Sequence, residues 1–213
     1  MLILIGILIF VLCIASTWWF GLWSNAITLV NLLLSAMLAS SIYEPVSIQL
    51  RNINSSYRVL YDFIAVWLVF IVAFLILRGI TDTLSGYRLK FDPATELIGR
   101  SVLSIWIACV FVCFTFFTLQ MAPLAPSFYS TERQSRENLG TIPDRAWLSF
   151  IQSRSRGALA TSKKSSMFND YRLAPHPDDV DKDMRVFDPH ADFLMRYQNY
   201  RWELSEKSRL MKR

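Results

Sequence analysis

Apolar residues fill the first 122 positions in four long runs, and polar residues take over after Pro123 and Pro126, which together stop a helix. The runs cover positions 1–19, 24–43, 59–77 and 101–122. A helix needs about 20 apolar residues to cross a bilayer core of ~30 Å, so each run is a candidate span. Core helices of soluble domains keep a polar stripe every 3.6 residues or so. Positions 63–77 and 105–119 are apolar all round instead. The pattern predicts an all-α, polytopic membrane protein with four transmembrane helices over 1–122. A polar, partly helical C-terminal tail follows over 123–213. The first run reads as a retained helix rather than a signal peptide, because no basic residue precedes it and no clear small-residue cleavage site follows.

The connections carry their own signals. Trp18, Trp19, Phe20 and Trp23 surround Gly21 without a charge. Tryptophan favours the bilayer interface, where the ring is half buried and the indole N–H finds a polar partner. The first two helices are therefore expected to form a tight hairpin with Trp18, Trp19 and Trp23 at one membrane face. Tyr43, Tyr57 and Tyr61 would mark the other. Asp92-Pro93 is a cap-then-proline start for the fourth helix. The segment after it is expected to lie along the interface before the helix turns inward at Ser101.

Charge sharpens this division. The first charged residue after the amino terminus is Glu44, and only 18% of the 213 residues are charged. Positions 1–122 hold six Lys+Arg and five Asp+Glu, so most of the net +5 belongs to the tail. In the tail basic and acidic residues are interspersed, which argues for a lipid surface rather than nucleic acid. Arg78, Arg88, Lys90 and Arg100 flank the connection between the third and fourth runs. Arg51, Arg58, Arg133 and Arg136 lie on the other side. The first set is packed into the shorter loop, which favours a cytoplasmic place for it and an extracytoplasmic tail.

Polar residues inside the runs are few. Asp62 opens the third run four residues after Arg58, and reads as an interfacial anchor more readily than as part of an ion path. Asn31 and Ser35 share a helix face, as do Ser104 and Ala108, and such positions let helices approach and hydrogen-bond. Cys109 and Cys113 act as small hydrophobes, since no histidine lies in any run to make a metal site. The tail has a helical pattern over 141–154, with Ala146, Trp147, Phe150 and Ile151 on one face. A linker-like stretch covers 157–187. After Asp188-Pro189, Phe193, Tyr197, Tyr200 and Leu204 form an aromatic stripe suited to a protein partner. His176 and His190 sit among scattered aspartates and read as a solvated segment rather than as metal ligands. No nucleophile–base pair or ligand cluster appears, so no enzyme activity and no cofactor is expected.

The order of parts resembles a known family. Gly21-Leu22-Trp23-Ser24-Asn25-Ala26-Ile27 leads into a long uncharged helix. The third helix ends at Leu77-Arg78-Gly79, and a polar loop reaches the stretch from Phe91-Asp92-Pro93 to Ile98-Gly99-Arg100. Over positions 1–122 this is similar to the colicin V production protein family of bacterial inner-membrane proteins. That family usually carries a further glycine four residues after each of Gly21 and Gly99. Asn25 and Leu103 stand there, so looser packing is expected at both points. Gly99 joins Asn31, Ser35, Asp62 and Ser104 as candidates for helix packing or for a pathway. The resemblance implies a non-enzymatic envelope scaffold or accessory factor for toxin production or export, with the tail recruiting a partner. A small channel or transporter working as a homo-oligomer is the alternative, because four helices alone enclose little space.

Overall fold

The computed structural model describes residues 2–53, 58–85, 91–122, 143–155 and Tyr197. Among them are five helices and no strand: α1 (Leu2–Thr17), α2 (Leu22–Ile53), α3 (Arg58–Leu84), α4 (Pro93–Met121) and α5 (Pro143–Ser155). Helices α2, α3 and α4 are each long and apolar enough to cross a membrane. At 1.5 Å per residue, α1 is only about 24 Å long. It lies antiparallel to α4, from Gly6 beside Phe116 at one end to Trp18 under the Arg100 guanidinium at the other.

Helix α2 packs against both α3 and α4, and α4 in turn touches α1, α2, α3 and α5. The buried positions of α2 include Asn25, Leu29, Leu32, Ala36, Ala39 and Tyr43, a stripe recurring every three or four residues. Helix α3 offers Asp62, Ala65, Val66 and Ala73 on one face, while Ile64, Leu68, Ile71 and Leu75 point outward to lipid. Helix α4 offers Ser104, Ile107, Ala108, Phe114 and Phe117. Small residues let the backbones approach, and large aromatics fill the remaining space. Trp67 collects four of these, with Phe63, Phe70, Phe111 and Phe114 at ring-centroid distances of 5.7 to 6.4 Å.

Several boundaries differ from the sequence pattern. The second helix does not stop at Tyr43. It continues through Pro45 to Ile53, and the stretch long and apolar enough to cross a membrane itself runs to Leu50. Tyr43 is 2% exposed and packs in the core near Trp147 and Tyr197, at the end of the bundle opposite the tryptophans. Tyr61 is half-buried, and Tyr57 lies outside the described residues. The segment after Asp92 is not separate from the fourth span, for α4 is one continuous helix of 29 residues. Pro93 does occupy its first turn, but the Asp92 side chain makes no capping hydrogen bond.

The first two helices are joined by a short turn but do not pair along their length. Helix α1 packs along α4, since α3 and α4 occupy the inner stripe of α2. Asn25 ties this turn together. Its Nδ2 donates to the Thr17 carbonyl at 3.2 Å and to Ser104 Oγ at 3.1 Å, joining the end of α1 to α2 and α4. Gly99 lies so close to Leu22 that a side chain there would force Leu22 aside. Packing is thus close at the point where asparagine replaces the usual glycine. Replacing Asn25 and Ser104 by alanine, singly and together, is expected to give a coupling of about 0.6 kcal/mol and at most ~1.7 kcal/mol. Unfolding in lipid bicelles measures it, and additive single effects would contradict a direct bond.

Candidate functional site

The antiparallel order gives the bundle two polar ends. One holds the turn between α1 and α2, the end of α3 and the start of α4. Here Arg78 of α3 reaches across to α2. Its Nη1 donates to Thr28 Oγ1 at 2.9 Å, its Nη2 to Ser24 Oγ at 3.4 Å and its Nε to Asp82 at 3.0 Å. One turn deeper, Asn31 Nδ2 donates to Thr81 Oγ1 at 2.8 Å. Trp23 donates its indole N–H to Ser85 Oγ at 2.7 Å, Trp18 stacks under Arg100 at 5.2 Å, and Trp19 is 85% exposed. The three tryptophans gather at one end, as their spacing predicts, and two of them also bind the bundle. Ser35 is buried on the same helix as Asn31, and its hydroxyl has no hydrogen-bond partner among the described residues.

The other end receives the C-terminal part of the chain. Helix α5 is too short to span a bilayer and packs on α4. Trp147 and Ile151 of the expected apolar face are buried, and Leu148 joins them. The Trp147 ring stands edge-on to Phe114 with centroids 5.6 Å apart, and its indole N–H donates to Ser40 Oγ of α2 at 3.2 Å. Asp144 is fully buried and accepts from Gln120 Nε2 of α4 at 2.9 Å. Tyr197 is 5% exposed and donates its hydroxyl to Asp62 Oδ2 of α3 at 3.1 Å.

Two expected site residues, Asp62 and Tyr197, are therefore brought together. Asp62 faces inward on the Ala65–Val66 side of α3, since a carboxylate facing lipid would be costly. The Arg58 side chain, Phe193, Tyr200, Leu204, His176 and His190 lie outside the described residues. The sequence pattern did not pair Ser40 with Trp147 or Gln120 with Asp144. These contacts join positions 107 and 24 residues apart, and no local spacing encodes them.

Burial pushes the Asp144 carboxyl above the ordinary carboxylate range, against the Gln120 amide and the neighbouring Arg145 charge. An undocked Asp144 ionises at lower pH than the docked one. Docking is then strongest below the undocked value and is lost progressively as pH rises through the docked value. Backbone amides of α5 are expected to exchange hydrogen faster, relative to intrinsic rates, at about pH 8 than at about pH 5. Asp144→Asn keeps an acceptor for Gln120 and should remove the difference. Equal protection of the unsubstituted chain at both pH values would contradict this.

Comparison with known proteins agrees with the architecture. No curated protein and no solved structure matches the chain. A family model described as colicin V production protein matches residues 2–137, reaching past Pro123 into the polar part. With four helices in the expected order and a match over more than half its length, the chain belongs to the colicin V production protein family.

Proposed function

We propose that the protein is a non-enzymatic scaffold of the inner membrane that supports production or export of a peptide toxin. Its tail recruits a protein partner on the extracytoplasmic side. The observation that carries the reading is how the spanning helices use their polar side chains. Asn25 bonds to Ser104 and Asn31 to Thr81, while Leu29, Ala36, Phe114 and Phe117 fill the space between helices. Polar groups used to join helices suit a rigid platform better than a solute path.

The tail end of the bundle also holds the connection between α2 and α3. Both then lie opposite the turn bearing Trp18, Trp19 and Trp23 and the connection carrying Arg88 and Lys90. A basic connection retained in the cytoplasm leaves the tail outside. A second reading, a small channel built by several copies, draws on Asp62 as a buried carboxylate within the candidate span Leu60–Leu84 of α3.

Complementation and flux measurements separate the two. In bacteria lacking their own family member, the chain is expected to restore toxin production. Purified protein in liposomes is expected to leave ion and proton flux at the protein-free level. A solute-dependent current abolished by Asp62→Asn or Asn31→Ala would overturn the scaffold reading.

A further inference from the structure

Each of the three long helices contributes one polar side chain to the same end of the bundle. They are Ser40 from α2, Asp62 from α3 and Gln120 from α4. Each is hydrogen-bonded to a residue beyond position 123: Trp147, Tyr197 and Asp144 respectively. We infer that these three side chains form a docking site on the membrane body, filled by the chain's own C-terminal part in cis.

The chemistry of occupant and site match. Indole and phenol rings carry an apolar body and one polar tip. Trp147 buries its ring against Phe114 and Phe150 and spends its N–H on Ser40. Tyr197 is buried in the same apolar cluster as Tyr43, Trp147 and Phe117, and spends its hydroxyl on Asp62. Without the occupant, Ser40, Asp62 and Gln120 would each lose a partner where lipid supplies none, and the Phe114 face would be uncovered. The docked arrangement is therefore the resting one. Any protein that grips the Tyr197 segment must first draw it off Asp62, so partner binding and docking on Asp62 exclude each other. The docking site is independent of the scaffold reading, for a channel could be closed by the same contact.

The test uses the full chain in liposomes with Cys13, Cys109 and Cys113 replaced by alanine. Spin labels are attached through Leu60→Cys on the exposed side of α3 and through Asn199→Cys. Pulsed dipolar spectroscopy is expected to give one narrow distance peak. Tyr197→Phe, which removes only the hydroxyl, should cause loss of that peak to a broader and longer distribution, whereas Tyr200→Phe should leave it in place. Dilution with excess unlabelled protein should not change the peak. A broad distribution in the labelled parent, or a peak unchanged by Tyr197→Phe, would overturn the docking site. A peak that vanishes on dilution would overturn occupancy in cis and assign the tail to a second copy.

Discussion

Lipid offers no hydrogen bonds, and this constraint orders the structure. A polar side chain on a membrane-spanning helix finds its partner within the protein or is stranded at a cost of several kcal/mol. The chain has few such groups, and most of those on α2 reach a different element. Asn25 reaches Thr17 and Ser104, Asn31 reaches Thr81, and Ser40 reaches Trp147. Each bond fixes the rotation of α2 against a neighbour, which apolar packing alone does weakly when lipid is as apolar as leucine. Small residues at Ala36, Ala39, Ala65 and Ala108 then allow close approach, and the aromatics around Trp67 fill what remains.

The same constraint explains why part of the polar tail is drawn onto the bundle. A solvated helix of 13 residues is marginal by itself. Against α4 it buries Trp147, Leu148 and Ile151, and its N–H and carboxyl groups find Ser40 and Gln120. The fully buried Asp144 marks the cost of that docking, which is why its carboxyl resists ionisation. Helix α5 thus packs on the body through α4, and the family match runs past Pro123 to residue 137.

Much of this was legible in the sequence. Uncharged runs of span length announced the helices, and the Trp18–Trp23 knot announced a shared end of the bundle. The apolar face of α5 followed from the spacing of Trp147 and Ile151. What stayed hidden depends on long-range placement. Helix α2 passes its apolar run and Pro45 because a helix is not obliged to end where lipid does. Tyr43 lies at the expected end, opposite the tryptophans, but its place on the Asn25–Tyr43 stripe turns it inward. Asp62 looked like a surface anchor because its partner lies 135 positions away. The replacement of glycine by Asn25 suggested looser packing, where a hydrogen bond does the joining instead.

The three long helices, α5 and Tyr197 form one hydrogen-bonded structure. A photoreactive benzoylphenylalanine at position 147, in the full chain in native membranes, tests it most directly. Intramolecular adducts are expected on α2 around Ser40 and on α4 around Phe114, the two side chains of those helices that Trp147 meets. Adducts confined to lipid or to other proteins would contradict it.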